Sequence, residues 1–198
     1  NRKELYGDKF GDYPDNIERF AFFSREVLER CKREDFKPDI IHCNDWQTAL
    51  IPVYLNTIYR DDPFFAKTRM LYTIHNLAYQ GIFPSTIIDE LAVPREAFAA
   101  EGLEYHGMVS FLKAGLHYAT LLNTVSPTYS REIQTAELGF GLDGLLRRRA
   151  ADLSGILNGI DTDTWDPAHD THLARNYDAL RLEKKGANKT AVQRTFGL

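Results

Sequence analysis

Short apolar runs alternate with longer segments of helical character along this chain. Runs of the buried-strand type occur at four places: residues 40–43, 70–74, 121–125 and 153–157. Segments of helical pattern lie around them: residues 16–32, 46–59, 108–119, a segment after Ser126 and a last piece from about Asn188. Because strands alternate with helices, we predict an α/β fold with a doubly wound, mostly parallel, Rossmann-like sheet.

Particular residues mark where these predicted helices begin or break. Asp15 is a suitable N-cap for the helix over residues 16–32. Pro52 either kinks the helix over residues 46–59 or starts a second half of it. Ser126 followed by Pro127 places a capping hydroxyl before a proline at the first helical position, which is typical of a helix start.

Composition narrows the class of protein. The 198 residues are 43% apolar and 26% charged, as in an ordinary soluble globular protein, so disorder is excluded as the main state. A net charge of −4 gives no electrostatic reason to bind nucleic acid or a membrane surface. Cys31 and Cys43 form neither a zinc pattern nor a C-x-x-C pair, and so small a number of cysteines favours a reducing compartment. Since the chain starts at Asn1 without a methionine, we expect it to be a piece of something longer.

Every predicted strand finishes in a residue that can form hydrogen bonds or ionise. These strand-end residues are Asn44-Asp45, His75-Asn76, Ser126 and Asn158-Gly159. In an open parallel sheet, ligands bind beyond the carboxyl ends of the strands. Four polar strand ends in a row therefore favour a shared polar site at that edge of the sheet.

Each of these residues also has a purely structural interpretation. Asp45 is equally suited to cap the helix beginning at Trp46, and both roles can hold together. His75 can be a buried, hydrogen-bonded structural histidine, and Asn158-Gly159 can be only a turn. Tyr13 lies in a Gly/Asp-rich loop, where an aromatic ring often covers the local core.

One motif invites a different interpretation. Residues 139–144 match G-x-G-x-x-G, the dinucleotide-binding fingerprint. That fingerprint must follow a strand and open a helix, whereas a polar helical segment precedes this one. We therefore expect a mobile or tightly turned loop here and no nicotinamide or flavin site.

The strand ends also carry a family resemblance. Residues 73–81 read T-I-H-N-L-A-Y-Q-G and closely resemble a segment of bacterial glycogen synthases and plant starch synthases. Residues 41–47, I-H-C-N-D-W-Q, are similar to the H-x-x-D-W-H/Q segment of the same family. Further matches follow in the family's order: residues 110–115, 124–129, 139–146 and 155–161. Six ordered segments make chance very improbable.

The resemblance implies a fold and an activity. The family transfers glucose from ADP-glucose, or sometimes UDP-glucose, to the non-reducing end of an α-1,4-glucan and retains the anomeric configuration. Its GT-B fold has two Rossmann-like domains facing a cleft. By this resemblance, residues 1–187 are part of the N-terminal, acceptor-side domain, and residues 188–198 begin the crossing into a C-terminal domain of the same parent chain. That domain and an N-terminal Lys-x-Gly-Gly loop are expected outside this sequence, so we expect the isolated chain to be inactive.

The resemblance also implies roles for the strand-end residues. His75 and Asp45 are the expected catalytic residues, with His75 near the 6-hydroxyl of the transferred glucose. The expected substrate-binding residues are Tyr13, Asn76, Ser126, Asn158 and Gly159. No metal and no cofactor are implied, and neither nucleic acid nor a membrane is an expected partner. The implied compartment is bacterial cytoplasm or plastid stroma.

Two alternatives stay open on the sequence. A related GT-B glycosyltransferase, of the sucrose-phosphate-synthase type, shares the architecture, although the H-N-L-A-Y-Q-G segment argues against it. The isolated chain can instead be an inactive glucan-binding module, because half of the cleft is expected elsewhere.

Overall fold

A computed structural model describes residues 4–198, which form two compact units. The first unit ends at Leu157, and the second spans Asn158–Leu198. Over the described range the α-helices are Asn16–Arg33 (α1), Leu50–Asn56 (α2), Phe111–Tyr118 (α3), Pro127–Glu132 (α4), Asp143–Arg148 (α5) and Gly186–Phe196 (α6). The strands are Gly7–Asp8 (β1), Gly11–Asp12 (β2), Ile40–Asn44 (β3), Arg69–Ile74 (β4), Ile82–Pro84 (β5), Glu104–Tyr105 (β6), Met108–Ser110 (β7), Leu121–Thr124 (β8) and Leu153–Gly155 (β9).

A four-stranded parallel sheet organises the first unit. Its strand order is β3-β4-β8-β9, and every neighbouring pair is parallel. Asn44, Thr73 and Asn123 are cross-strand partners in turn, which aligns the carboxyl ends of three strands. The predicted α/β class with a parallel sheet is therefore confirmed. Two small antiparallel sheets, β1-β2 and β5-β7-β6, complete the strands of this unit.

Helices cover one face of the parallel sheet. Ile41 and Cys43 of β3 are buried, while His42 between them and Asn44 at the end of the strand are exposed. Helix α2 packs against both α1 and α3. Gly115 of α3 lies so close to the sheet that a Cβ atom there would come within 2.6 Å of the Tyr72 ring. A glycine at this position thus lets α3 approach the central strand β4.

Two predicted helices differ from the structure. The segment over residues 46–59 begins as a 3₁₀ turn, Trp46–Thr48, and becomes α-helical only at Leu50. Pro52 lies in the first turn of α2, where its missing N–H removes no helical hydrogen bond, so it belongs to a helix start and not to a kink. The segment over residues 108–119 was predicted as one helix, which is wrong for its first three residues. They form β7, because they pair with β5 and β6.

The other boundaries agree closely with the pattern. Helix α1 begins directly after Asp15, whose carbonyl accepts a hydrogen bond from the amide of Arg19 at 3.0 Å. Ser126 caps α4 and Pro127 opens it, as predicted. Strand β9 is two residues shorter than the apolar run from which it was predicted.

The second unit is polar, and α6 is its longest element. The Asn188 side chain accepts a hydrogen bond from the amide of Arg175 at 2.9 Å and donates one to its carbonyl at 2.7 Å. This pair of bonds ties the loop before α6 to the helix. Among residues 4–198, no helix combines the length and the apolar character that crossing a bilayer requires.

Candidate active site

Asp45 joins the carboxyl ends of β3 and β4. Its backbone N–H donates to the Thr73 carbonyl at 3.0 Å, and its own carbonyl accepts from the Tyr72 hydroxyl at 2.7 Å. Its carboxylate Oδ1 accepts a hydrogen bond from the backbone N–H of His75 at 2.8 Å. Backbone and side chain of Asp45 are therefore both bound to the neighbouring strand and to the loop that follows it.

The backbone of Asp45 is strained. Its φ of +52° and ψ of −175° fall in a region that residues with a side chain rarely adopt. Such a conformation costs on the order of 1–3 kcal/mol and persists only where surrounding contacts hold it. Asp45 occupies the N-cap position of the turn Trp46–Thr48, but its side chain makes no capping hydrogen bond there. The capping interpretation therefore does not explain the carboxylate, which is directed to the His75 loop instead.

His75 is fixed at two points and is nevertheless exposed. Its backbone N–H is held by Asp45, and its ring Nε2 lies 3.0 Å from Oδ1 of Asn44. The exposure rules out the interpretation of His75 as a buried structural histidine. A held but accessible imidazole is suited to contact a ligand.

Asn76 lies beside the same carboxylate. Its backbone N–H is 3.5 Å from Asp45 Oδ1, and its side-chain Oδ1 accepts from the amide of Ala78 at 3.0 Å. The next amide, of Leu77, donates to the hydroxyl of Tyr129 on α4 at 3.0 Å. The loop that carries His75 and Asn76 is thus tied to β3 on one side and to α4 on the other.

A pocket of about 380 Å³ opens beside these residues. It is lined by Tyr6, Asp12, Asp45, Trp46, Gln47, Asn76 and Tyr79. Asp45 and Asn76 are thus brought together, whereas His75 is linked to the pocket through Asp45. Tyr13 is half-buried next to Asp12, and its ring lies 5.3 Å from the guanidinium of Arg19.

Sequence reasoning missed several residues of this pocket as site residues. Tyr6 precedes β1 and Asp12 ends β2, in a segment that was predicted as a loop and in which only Tyr13 was singled out. Trp46 and Tyr79 lie inside the two segments that carry the family resemblance, and that was the signal available for them. Tyr79 keeps 66% of its surface exposed, so an aromatic face is open to a ligand beside the pocket.

Comparison with known proteins gives the family. A family model described as the starch synthase catalytic domain matches residues 1–148. The chain belongs to this starch synthase catalytic domain family. The resemblance seen in the sequence is therefore confirmed.

Individual members of the starch synthase family agree along the chain. Glycogen synthase 2 of Geobacter sulfurreducens is 54% identical over all 198 residues, which cover 41% of that relative. Glycogen synthase of Moorella thermoacetica is 54% identical with the same coverage, 100% of this chain and 41% of the relative. The solved catalytic domain of starch synthase IV from Arabidopsis thaliana, bound to ADP and acarbose, is 34% identical with a TM-score of 0.77. It is matched over 100% of this chain and 40% of its own. The chain thus spans about two fifths of the length of the curated relatives it matches.

Ser126 of this starch synthase family chain has a structural role on its helix. Its Oγ accepts hydrogen bonds from the amides of Thr128 at 3.1 Å and Tyr129 at 3.3 Å. A hydroxyl that accepts twice keeps its own proton for donation. Gly155 on β9 approaches the Ser126 carbonyl so closely that a Cβ there would lie at 2.3 Å. Ser126 is therefore positioned tightly and retains one donor.

Asn158 and Gly159 open the second unit and are exposed. Strand β9 ends at Gly155, so Ile156 and Leu157 separate it from Asn158, and the prediction that Asn158 stands at the strand end is wrong. Both residues belong to the second unit, and their expected part in the site stays a prediction.

The glycine-rich segment over residues 139–144 is a tight, docked loop. Phe140 and Gly141 both have positive φ, of 47° and 78°. The Phe140 carbonyl accepts hydrogen bonds from the Gln80 side chain at 2.9 Å and from the Tyr105 hydroxyl at 3.0 Å. No strand leads into it, which agrees with the rejection of a dinucleotide fingerprint.

Burial keeps the groups beneath Asp45 uncharged. It raises the pKa of the Cys43 thiol to about 12. It also raises the pKa of the fully buried Tyr72 hydroxyl well above its usual value. Tyr72 therefore keeps its proton and acts as a hydrogen-bond donor to the Asp45 carbonyl.

Proposed function

We propose that this chain forms part of a glycogen or starch synthase that transfers glucose from a nucleotide sugar to an α-1,4-glucan. The donor is ADP-glucose or UDP-glucose, the acceptor is the non-reducing end of the glucan, and the anomeric configuration is retained. Support comes from the family match and from the names of relatives about half identical to the chain. The Arabidopsis structure, which is bound to ADP and acarbose, supports an adenine nucleotide as part of the donor.

The division of labour within the whole protein is part of the proposal. Residues 1–187 form part of the N-terminal, acceptor-side domain, and residues 188–198 begin the crossing into a C-terminal domain. That second domain supplies the cationic groups that stabilise the leaving diphosphate. The present chain supplies the sugar side of the cleft.

The observation that carries the proposal is the arrangement of Asp45 and His75. A strained aspartate holds the histidine loop by hydrogen bonds from two backbone amides to one carboxylate oxygen. Strain of this kind is found where chemistry needs a group at a set position. Asp45 Oδ2 is left to accept a hydrogen bond from a sugar hydroxyl, and Asn76 lines the same pocket.

Glucose transfer then proceeds by front-face attack assisted by the leaving phosphate. A covalent route needs a carboxylate nucleophile placed against the anomeric carbon. Asp45 already uses Oδ1 to position the His75 loop, and this favours a role in binding over a role as nucleophile. His75 stabilises positive charge that develops at the glucosyl centre, through its ring or its carbonyl. Tyr13, Ser126, Asn158 and Gly159 complete the proposed set of substrate contacts.

The test is glucose incorporation by the full-length protein. Purified enzyme is given ADP-glucose or UDP-glucose with a maltooligosaccharide, and chain extension is measured. We expect extension with an α-linked product, and we expect His75→Ala to lower the rate by about 10²–10⁴-fold because a positioned catalytic side chain is lost. His172→Ala, which removes an exposed histidine of the second unit, is the matched control and should retain the parental rate.

Other outcomes separate the alternatives. Transfer to a hexose phosphate in place of a glucan would favour the sucrose-phosphate-synthase type. Near-parental turnover by His75→Ala would remove His75 from the site. Calorimetry of the isolated chain with maltooligosaccharides tests the remaining alternative, since glucan binding without turnover would favour a binding module.

A further inference from the structure

The His75 ring is held through one nitrogen only. Nε2 lies 3.0 Å from the side-chain oxygen of Asn44, the last residue of β3. Among residues 4–198, the Nδ1 atom of His75 has no hydrogen-bond partner, and the side chain is exposed. One ring nitrogen is thus used within the protein, and the other is free for a ligand.

Asn44 is itself firmly placed. The hydroxyl of Thr48 accepts a hydrogen bond from the Asn44 amide at 2.6 Å and donates to the Asn44 carbonyl at 2.9 Å. Thr48 lies in the 3₁₀ turn that follows Asp45, so these two hydrogen bonds connect the turn to the backbone at the end of β3. The side chain that faces the His75 ring therefore starts from a fixed backbone.

The Asn44 oxygen determines which nitrogen of the ring carries the proton. A carbonyl oxygen only accepts hydrogen bonds, so Nε2 must be the donor in this contact. In the neutral ring the second nitrogen then has a lone pair and no proton. The ring consequently presents an acceptor at Nδ1.

We propose that Asn44 is a positioning residue that fixes the His75 ring with its proton on Nε2 and so presents Nδ1 as a hydrogen-bond acceptor for a sugar hydroxyl. The identity of the ligand rests on the proposed function, whereas the state of the ring does not. A hydroxyl group of the donor glucose donates to Nδ1 and is thereby oriented. The opposite tautomer would place an N–H at Nδ1. A ring nitrogen that carries a proton donates a hydrogen bond and cannot accept one from a sugar hydroxyl.

Nitrogen-15 NMR of this chain, without substrate, tests the state of the ring. Spectra are recorded at alkaline pH, where histidine rings are neutral. We expect the parent chain to show His75 as a single tautomer with the proton on Nε2. Asn44→Leu should give a mixture of both tautomers, because the acceptor is gone. Asn44→Asp keeps an oxygen at the same place and should restore the parental signature.

Two controls guard this measurement. His42, two residues before Asn44 on β3, is the internal control. Its Nε2 lies 2.6 Å from the Thr73 hydroxyl and does not contact Asn44, so its NMR signals should not change in any variant. A further test variant, Thr48→Val, removes the two hydrogen bonds that fix the Asn44 backbone and should shift His75 toward a mixture of the two tautomers. Thr57→Val removes a hydroxyl that bonds the Val53 carbonyl at the end of α2 and should leave His75 unchanged.

Kinetics of the full-length enzyme provide the second readout. Asn44→Leu should lower kcat about tenfold or more with a smaller change in KM, since a misplaced group costs most in the transition state. Asn44→Asp should lose less activity than Asn44→Leu.

A parent His75 with its proton on Nδ1, or an Asn44→Leu spectrum identical to the parental one, would overturn the proposal whatever the enzyme does. If the NMR result is as expected but the enzyme extends no glucan, the proposed function fails and the ring assignment stands. If the spectrum changes but Asn44→Leu keeps the parental kcat, the ring is positioned but the acceptor role at Nδ1 is refuted.

Discussion

The two ends of the parallel sheet are built in opposite ways. At the amino end, where the strands begin, polar groups are paired within the protein. Thr68 bonds the Pro38 carbonyl at 2.8 Å, and the Thr120 hydroxyl accepts from the Met70 amide at 3.0 Å. Arg149 donates to four backbone carbonyls at the end of α3 and beyond it, those of Leu116, His117, Ala119 and Thr120.

At the carboxyl end, the polar side chains form hydrogen bonds within the protein but retain atoms that can form further hydrogen bonds. Asp45 binds two amides through one oxygen, and His75 uses one of its two ring nitrogens. The backbone of Asp45 is strained there, whereas at the amino end Arg149 satisfies helix carbonyls that would otherwise lack partners. The difference teaches that polar residues at the amino end are used up in internal contacts, and it supports the proposal that those at the carboxyl end serve a ligand.

The largest expected effect on stability lies at the amino end. Arg149→Ala should lower the free energy of unfolding by about 3 kcal/mol, because it removes a mostly buried cation and leaves several carbonyls and Asp152 without their donor. Urea denaturation of the chain measures this. Arg148→Ala, which removes the exposed neighbouring arginine, should change stability by less than about 0.5 kcal/mol. Equal effects of the two would contradict the assignment of the amino end.

A smaller effect is expected from the hydroxyl beneath Asp45. Tyr72→Phe keeps the buried ring but removes the donor to the Asp45 carbonyl, one of the contacts that hold the strained backbone. We expect about a tenfold loss of turnover in the full-length enzyme, since a small misplacement of a catalytic group is costly. Tyr54→Phe removes a comparable buried hydroxyl, which bonds the Leu91 carbonyl, and should keep the parental turnover. Similar losses in both variants would show that the Tyr72 effect is not specific to Asp45.

The smallest effect should come from Ser126. It lies at the carboxyl end of the sheet, but its side chain, like the polar groups at the amino end, is paired within the protein. Ser126→Ala should cost about 1 kcal/mol of stability through the lost cap on α4. Turnover of the full-length enzyme should fall by less than tenfold, because under the proposed function Ser126 donates only one hydrogen bond to substrate. Thermal unfolding and initial rates on the same samples check both numbers. A loss of turnover as large as that of His75→Ala would place Ser126 among the main substrate contacts.

Local pattern was enough to predict the sheet but not the site. The four apolar runs predicted the parallel strands because buried strands need continuous apolar sequence. Residues 108–110 were assigned to a helix because an apolar run before a helix has no distinguishing period, and only pairing with β5 and β6 makes them a strand.

The geometry of the site depends on contacts between distant segments. That Asp45 is strained follows from Tyr72, Thr73 and His75, residues about thirty positions away. Asn44 was recognised as a strand end, but its contact with the His75 ring cannot be seen without the register of β3 on β4. Tyr6 and Asp12 reach the pocket from the short hairpin of β1 and β2 and its flank, where the sequence pattern predicted only a loop.

The contrast between the two ends is tested most directly by Asp45→Gly in the full-length enzyme. Glycine adopts a positive φ without strain, so the relief of about 1–3 kcal/mol offsets the lost carboxylate bonds. We predict that turnover with ADP-glucose and a maltooligosaccharide falls at least about 100-fold, while the free energy of unfolding stays within about 1 kcal/mol of the parent. Turnover within about threefold of the parent, in a variant that is folded, would contradict the assignment of a catalytic site to this end of the sheet.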